Sequence, residues 1–141
     1  MHAHAREVYP DECCGMIFER NHREEIVCVT NVQNELHARD PVQFPRTAAT
    51  GYTMGPEAAQ ILIGSERGEL RLHAIYHSHP EREAYFSPED RKQALGAGGE
   101  PIYPQAAYIV MSVRNREVRA TKVFAWDAAA GDYIEARICQ S

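Results

Sequence analysis

Short hydrophobic runs alternate with polar, proline-containing segments along the chain, which is the pattern of a domain with several strands and a few helices. Runs rich in β-branched and aromatic residues predict the strands. Six strands are predicted, at residues 14–18, 25–32, 70–77, 106–113, 117–126 and 132–138. Two or three helices are predicted, at residues 1–9, at residues 56–68 and from Ser87 onward.

Local signals mark the beginnings of two of these helices. Gly55-Pro56 opens the second helix, with proline in the first turn, where its missing N–H leaves no hydrogen bond unmade. Ser87-Pro88 opens the third helix, with serine as the N-cap residue and proline at the first helical position. Both segments are therefore predicted to be helical from these residues onward.

The segments between these elements are predicted to be loops. Residues 33–48 are polar and contain two prolines, and residues 96–104 are rich in glycine. Strands cluster toward both ends of the chain, so a regular alternation of strands and helices is not indicated. We therefore predict one α/β domain over residues 1–141, with a mixed, mostly antiparallel sheet flanked by helices.

Composition and charge narrow the class of protein. Hydrophobic residues make up 44% and charged residues 25% of the 141 residues, which is usual for a globular domain. The net charge of −5, with no cluster of Lys or Arg, argues against a nucleic-acid partner. No apolar run reaches the length of a membrane span, and the N-terminal residues lack a signal-peptide core. We therefore expect a cytoplasmic protein with no membrane partner.

The four cysteines are expected to be free thiols, because the cytoplasm is a reducing compartment. They are Cys13, Cys14, Cys28 and Cys139, and their spacing matches neither a zinc ribbon nor a thioredoxin-type pair. A thiol next to Glu12 also suggests a cysteine hydrolase. The alternative is that Cys14 opens a buried strand, where a free cysteine behaves as a small apolar residue.

Two histidines and an aspartate form the strongest candidate for a metal site. His77 and His79 lie at the end of the third predicted strand, and side chains two residues apart on a strand share a face. Asp90 lies in the first turn of the following helix, and a tight connection can bring it back over the strand end. Three such ligands with a fourth position free for water are typical of a catalytic zinc site. The alternative is a polar strand end followed by an ordinary helix cap.

Three further histidines are assigned no role. His73 lies four residues before His77 on the same strand, some 13 Å away at about 3.3 Å per residue, so it is too far away to share the ion. His2 and His4 are separated by one residue, as His77 and His79 are, but they lie at a terminus that is predicted to fray.

The spacing of the candidate ligands resembles a known signature. His77-Ser78-His79 is followed after seven residues by Ser87 and after two more by Asp90. This arrangement is similar to the JAMM motif of the JAB/MPN metalloproteases. The scaffold-only branch of that family has usually lost these ligands, and in this chain none is missing.

The resemblance extends beyond the motif, over about residues 3–125. The segment 10–15, Pro-Asp-Glu-Cys-Cys-Gly, resembles the family's Glu-x-Cys-Gly segment and identifies Glu12 as its glutamate. Residues 108–113 resemble a strand of bacterial members. The resemblance implies a cytidine-deaminase-like JAB/MPN fold.

The resemblance also implies a role for each residue of the site. His77, His79 and Asp90 would bind Zn²⁺, which lowers the pKa of a bound water toward about 7. Glu12 would accept the proton of that water and pass it to the leaving amine. Ser87 would donate a hydrogen bond to the tetrahedral oxyanion, which conflicts with its predicted role as an N-cap, since one hydroxyl is not expected to serve both.

The substrate class follows from the same resemblance. Members of the family cut peptide or isopeptide bonds after the Gly-Gly tail of ubiquitin or of ubiquitin-like proteins. A compact chain is similar to the bacterial branch, which removes residues such as cysteine from the C-terminal glycine of ubiquitin-like sulfur-carrier proteins. Residues 81–86 and 96–104 are the candidate walls of a narrow groove for that tail, or else solvated loops.

Two alternatives within the family stay open, a non-catalytic MPN module that binds a partner and a deubiquitinase-like isopeptidase. The complete set of metal ligands favours an enzyme over the module. The short chain favours the sulfur-carrier branch, because deubiquitinating members usually carry insertions that grip ubiquitin. The oligomeric state is left open, with a homodimer as one alternative.

Overall fold

A computed structural model describes residues 1–137, which contain six strands and four helices. The strands are β1 (Cys14–Arg20), β2 (Arg23–Val29), β3 (Arg71–Pro80), β4 (Ala107–Arg114), β5 (Glu117–Asp127) and β6 (Asp132–Ala136). The helices are α1 (His2–Val8), α2 (Gln33–Arg39), α3 (Glu57–Glu66) and α4 (Pro88–Ala94). All six predicted strands are present, and the last residue predicted for β6, residue 138, lies outside the described residues.

The strands form one sheet in the order β2-β1-β3-β4-β5-β6. Within it, β3 and β4 run parallel, and the other neighbouring pairs are antiparallel. A parallel pair needs a crossover connection, and α4 lies in the connection between β3 and β4. The prediction of a mixed, mostly antiparallel sheet with flanking helices is confirmed.

Each face of the sheet carries its own hydrophobic core. One core contains Ala5 of α1 together with Tyr76 of β3. The other contains Ile61 of α3, Ala94 of α4 and Ile75 of β3. Since successive residues of a strand point to opposite faces, α1 covers one face, and α3 and α4 cover the other. The two motif histidines occupy odd positions, as Ile75 does, and so point toward α4.

The prediction that residues 33–48 form a loop is wrong for the first part, which forms α2. Glu, Leu, Ala and Arg are good helix formers, and both prolines of the segment follow the last residue of the helix. Asn31 Oδ1 accepts the N–H of Gln33 at 3.0 Å and satisfies one of the free donors at the helix start. None of the four helices within residues 1–137 combines the length and the apolar character of a membrane span.

The third strand is longer than predicted and ends at Pro80 rather than at residue 77. On one side, residues 77–80 pair with residues 110–113 of β4. On the other side, the Ser78 N–H donates to the Cys13 carbonyl at 3.1 Å, and the Cys13 N–H donates to Ser78 Oγ at 2.8 Å. The motif histidines therefore lie near the end of the strand, as predicted, in its last four residues, which are bonded on both sides.

The pairing of β1 with β3 explains how Glu12 reaches the motif. The two strands are antiparallel, with Cys14 opposite His77. The residues just before β1 therefore lie beside the carboxyl end of β3. The Glu12 N–H donates to the Ala48 carbonyl at 2.7 Å, and the Glu12 carbonyl accepts the Asn31 side-chain amide at 2.9 Å. These bonds hold the backbone of Glu12 next to the motif histidines.

Candidate metal centre

Two buried histidines of β3 direct one ring nitrogen each at the same point. His77 and His79 are 0% and 1% exposed, and their Nε2 atoms lie 3.1 Å apart. His79 Nδ1 lies 2.9 Å from the Glu83 carbonyl, which can only accept a hydrogen bond, so the ring proton resides on Nδ1. His79 Nε2 is therefore left with a free lone pair, the form in which imidazole binds a metal ion.

Asp90 of α4 completes this cluster. Its Oδ1 lies 3.2 Å from His77 Nε2, and its Oδ2 lies 3.3 Å from His79 Nε2. Burial alone would raise the pKa of the Asp90 carboxyl, but hydrogen bonds and charge from the two histidines outweigh burial and lower the pKa. Asp90 is therefore a carboxylate at neutral pH, the state in which it binds a metal.

The arrangement of these three residues fits a tetrahedral zinc ion. Zinc binds nitrogen and carboxylate oxygen at about 2.0–2.1 Å, which places tetrahedral ligand atoms about 3.3–3.4 Å from one another. The two Nε2 atoms lie 3.1 Å apart, and each lies 3.2–3.3 Å from one oxygen of Asp90, Oδ1 for His77 and Oδ2 for His79. Glu12 also belongs to this cluster, since ligand atoms of Glu12, His77 and His79 all lie within 4.8 Å of one another.

Glu12 lies beside His77, His79 and Asp90 and adds a second buried carboxyl group to the cluster. Its side chain is buried, and burial raises the pKa of the carboxyl, while His77, His79 and Arg82 act in the opposite direction. The net effect is a pKa above the ordinary value for glutamate. A carboxyl of raised pKa next to a metal site is suited to accept a proton and to return it.

Ser87 caps α4 as predicted. The Asp90 N–H donates to Ser87 Oγ at 3.0 Å, and the Ser87 N–H donates to Asp90 Oδ2 at 3.0 Å, which together form a capping box. In this cap the hydroxyl acts as acceptor, so its own proton stays available to a further acceptor. The cap therefore does not by itself exclude an oxyanion role, because the two roles use different parts of one hydroxyl.

Three contacts of this centre were not predicted from the sequence. Tyr52 stacks on the His77 ring with centroids 4.6 Å apart, and Tyr85 meets the edge of the His79 ring at 5.2 Å. Arg82 forms an ion pair with Glu12. Arg82 carries a signal in the sequence, since it lies in the segment 81–86 that was predicted to form a wall. Tyr52 carries none, because its segment shows no pattern of its own.

The histidines that were assigned no role lie away from this centre. His73 Nε2 lies 3.3 Å from Glu19 Oε2, near the other end of β3. His2 and His4 are in α1, where His4 Nδ1 lies 2.9 Å from the Tyr76 hydroxyl. Tyr76 points to the opposite face of the sheet, so neither histidine shares the cavity of the metal centre.

Cys13 and Cys14 do not have the properties of nucleophiles. Cys13, Cys14 and Cys28 are free, and Cys139 lies outside the described residues. Burial raises the pKa of Cys13 to about 11 and that of Cys14 to about 12. Both side chains are buried in the two cores of the sheet. At neutral pH these thiols are protonated, which argues against a cysteine hydrolase.

Fold and site together define an α/β protein with a buried His, His, Asp and Glu cluster able to hold a metal ion. The chain matches the family model "Prokaryotic homologs of the JAB domain" over residues 1–128, and it therefore belongs to the JAB family. That family includes metallopeptidases, and some of its members are inactive. No curated protein matches the chain. The predicted family is confirmed, whereas the sulfur-carrier branch remains a prediction.

Solved structures agree with this fold. A solution structure of a protein from Desulfitobacterium hafniense is similar with a TM-score of 0.64 and 21% identity, covering 99% of this chain and 84% of that chain. A solution structure of a protein from Salinibacter ruber is similar with a TM-score of 0.59 and 23% identity, with the same coverage of both chains. At these identities the similarity concerns the fold alone.

Proposed function

We propose that this protein is a zinc-dependent peptidase that hydrolyses the bond after the C-terminal Gly-Gly of a ubiquitin-like sulfur-carrier protein. It releases the attached amino acid, such as cysteine, or a short peptide. The observation that carries the proposal is the convergence of His77 Nε2, His79 Nε2 and the Asp90 carboxylate, with ligand-like separations, beside the buried Glu12.

The residues of the site divide into metal ligands and proton carriers. His77, His79 and Asp90 would hold the zinc ion, which when bound would supply a water of lowered pKa and polarise the substrate carbonyl. Glu12 accepts the proton of the attacking water at a carboxylate oxygen and passes it to the nitrogen of the leaving amine. The raised pKa of Glu12 favours the first transfer, because it makes the carboxylate a stronger base toward the attacking water.

Ser87 is proposed to stabilise the oxyanion. The hydroxyl is held in place because Oγ accepts the Asp90 N–H. Its proton is free to point into the small cavity that Ser87 lines together with Glu12 and His79. A fixed donor of this kind stabilises negative charge as it develops on the carbonyl oxygen, and removal of one such donor costs about 10²–10³ in kcat.

The limited space at the site favours a substrate tail without side chains, such as Gly-Gly. The cavity at the metal centre is small and is lined by Tyr52, Arg82 and Gln93 as well as by the catalytic groups. Arg82 belongs to the predicted wall 81–86, whereas Tyr103 of the segment 96–104 lines a neighbouring cavity. A Cβ on either of the last two residues of a bound tail would compete with these walls for space, so Gly-Gly is favoured.

The two connections that flank α4 beside the site are short, which supports a small partner. Residues 81–87 join β3 to α4, and residues 95–106 join α4 to β4, without an inserted hairpin or helix. Binding energy is therefore expected from contact between two folded bodies, not from long loops that wrap around the partner. A free tail peptide should be cut far more slowly than the intact carrier.

We place the reaction in the cytoplasm. The three cysteines within residues 1–137 are free thiols, and Cys28 is exposed to solvent. Exposed thiols persist in a reducing compartment, where sulfur-carrier proteins would also keep reactive sulfur groups intact.

A second candidate is a non-catalytic module that binds a Gly-Gly tail. The observation that favours it is the ion pair between Arg82 and Glu12, which engages the carboxylate that catalysis needs. In this alternative the metal ligands serve to hold the fold or to bind the partner's terminal carboxylate. A deubiquitinase-like isopeptidase is the third candidate and differs only in its substrate.

The test is mass spectrometry of a carrier–cysteine adduct incubated with the zinc-loaded protein. We expect release of cysteine from the Gly-Gly adduct, slow or no release from a Gly-Ala variant of the tail, and no cleavage of linked di-ubiquitin. Cleavage of di-ubiquitin without action on the adduct would favour the isopeptidase. Tight binding of the carrier with no cleavage of either substrate would favour the module.

A further inference from the structure

Arg82 occupies an unusual position at the metal centre. Its guanidinium forms an ion pair with Glu12, and its side chain is 29% exposed, so one side faces the acid and another faces the cavity. The Arg82 carbonyl accepts the Ser112 hydroxyl at 2.5 Å, which ties its backbone to β4. Its Nε is buried and lacks a hydrogen-bond partner within the described residues. The guanidinium therefore has donors that Glu12 does not use.

We infer that Arg82 binds the α-carboxylate of the released residue, so that the protein prefers substrates extended beyond Gly-Gly by a single amino acid. This inference rests on the proposed function and assigns a specificity-determining residue to it. Arg82 is not a metal ligand and takes no part in proton transfer.

The covalent geometry of an amino acid keeps its carboxylate close to the leaving nitrogen, and so within reach of Arg82. In the reaction, water adds to the carbonyl carbon, the C–N bond breaks, and Glu12 carries a proton from the water to the leaving nitrogen. In a free amino acid the carboxyl carbon lies only about 2.5 Å from that nitrogen, since N–Cα and Cα–C bonds are about 1.5 Å each. A group that contacts Glu12 directly, as Arg82 does, is therefore within reach of this carboxylate.

The chemistry of the guanidinium suits this role. Its five N–H donors form a rigid fork that can bind two carboxylates at once, one from Glu12 and one from the substrate. Bonds between guanidinium and carboxylate are charge-assisted and stronger than those to a neutral amide. A longer peptide extension would present an amide at this position. An isopeptide-linked lysine would present only its aliphatic chain, since its carboxyl group is far from Nζ.

If Arg82 only positioned Glu12, its substitution would change the cleavage rates of different substrates in another way than if it bound the carboxylate. If it served only to hold Glu12, its loss would lower cleavage of every substrate by the same factor. If it binds the carboxylate, its loss lowers cleavage only of substrates that carry one. The ratio of the two rates therefore separates the roles.

The experiment uses two adducts that differ in one group. A carrier thioester is ligated to L-cysteine or to L-cysteinamide, which gives Gly-Gly-Cys with a carboxylate or with a neutral amide. For the wild type we expect kcat/KM to favour the carboxylate roughly 10- to 100-fold, the range for hydrogen bonds to charged groups. Arg82→Gln should bring the ratio close to one, and Arg82→Lys should keep part of it. Arg71→Gln, on an exposed arginine paired with Glu19, serves as the control.

A binding measurement provides a second readout that needs no turnover. The affinity of each adduct for the metal-free protein is measured by calorimetry, with the same four proteins. We expect the wild type to bind the carboxylate adduct more tightly by a similar factor, and Arg82→Gln to bind both adducts equally. Melting temperatures of the variants confirm that each is folded.

Several results would overturn the inference. Equal cleavage of both adducts by the wild type would do so while leaving the proposed function intact. Loss of cleavage of both adducts by the same factor in Arg82→Gln would make Arg82 a positioning residue for Glu12. If neither adduct is cleaved, the proposed function fails, and the binding ratio then decides the inference, with a ratio of one counting against it.

Discussion

Ser87 and Asp90 exchange two hydrogen bonds of 3.0 Å, each backbone N–H donating to the side chain of the other residue. This capping box begins α4, and one of its two members is also a candidate metal ligand. The bond from the Ser87 N–H to Oδ2 orients the Asp90 carboxylate toward His77 and His79. The start of the helix thus fixes a ligand and a hydroxyl donor with a single local motif.

The two roles of Ser87 can be separated by substitution. Glycine is nearly as good an N-cap residue as serine, whereas alanine costs about 0.5–2 kcal/mol. Ser87→Gly should therefore leave the free energy of unfolding within a few tenths of a kcal/mol and yet lower kcat about 10²–10³-fold, because the hydroxyl donor is gone. Ser87→Ala should lose both stability and activity. Ser87→Thr keeps a hydroxyl and should retain much of both.

Urea unfolding and steady-state kinetics on the same preparations provide the comparison. Full activity in Ser87→Gly would show that the residue is only a cap. Retention of zinc in all three variants is a necessary control, since Asp90 contacts Ser87 directly.

The amount of zinc bound to the protein should depend on the three candidate ligands, His77, His79 and Asp90. Elemental analysis of protein purified with zinc should find about one zinc per chain. His77→Ala and Asp90→Asn should each lose most of it, because three protein ligands are the minimum for such a site. His73→Ala is the matched control, a histidine of the same strand that lies beside Glu19 and Glu24. Wild-type protein without bound metal after zinc-replete purification would contradict the proposed mechanism.

The part of the site that lies close together in the chain could be predicted from the sequence. His77 and His79 share a face because strands alternate, and Ser87 and Asp90 meet because a capping box joins residues three apart. The position of Asp90 over the strand required only a tight connection. These relationships depend on backbone geometry that does not change with the rest of the fold.

The part that depends on distant pairing could not be predicted from local pattern. Glu81, Glu83 and Glu89 are nearer to the histidines along the chain than Glu12, and only the family resemblance identified Glu12. The structure supplies the reason, since antiparallel pairing of β1 with β3 brings residue 12 alongside. Glu81 and Glu83 instead bond to the Asn115 N–H and to Arg114. The same limit applies to Tyr52, whose stacking on His77 depends on a loop from elsewhere in the chain.

Substitution of Gly15 by alanine should destabilise the protein, although it adds only one methyl group. A Cβ at this position would lie 2.2 Å from Tyr76 Cζ, because the tyrosine ring crosses β1 over the glycine and its hydroxyl reaches Cys28 Sγ at 3.6 Å. Tyr76 is fully buried, so Gly15→Ala should lower the free energy of unfolding by about 1–3 kcal/mol.

Gly98→Ala is the control for this substitution, since its Cβ would meet no atom within 4 Å, and we expect a change within about 0.5 kcal/mol. The double variant Gly15→Ala with Tyr76→Leu should lose less stability than the sum of the two single changes, because the smaller side chain leaves room for the methyl group. Additive losses in urea unfolding would contradict the overlap of Gly15 and Tyr76 as its cause.

The thiols predict how the protein responds to alkylation. Burial raises the pKa of Cys13 to about 11 and that of Cys14 to about 12, and below its pKa a thiol is mainly neutral. At pH 8 a thiol of pKa 11 is about one part in a thousand thiolate, which is the reactive form. Iodoacetamide at that pH should therefore label the exposed Cys28 and leave both buried cysteines unmodified, as peptide mapping can show.

Alkylation should also leave the proposed peptidase activity unchanged, whereas a chelator should abolish it, because the proposed reaction uses metal-held water and not sulfur. Labelling of Cys13 should rise as the pH is raised toward 11, since the thiolate fraction grows tenfold with each pH unit below the pKa. The opposite pattern, inactivation by iodoacetamide at pH 8 with modification of Cys13 or Cys14 and no effect of chelator, would reverse the assignment. It would make a thiol the nucleophile and leave the buried cluster of His77, His79 and Asp90 with a structural role.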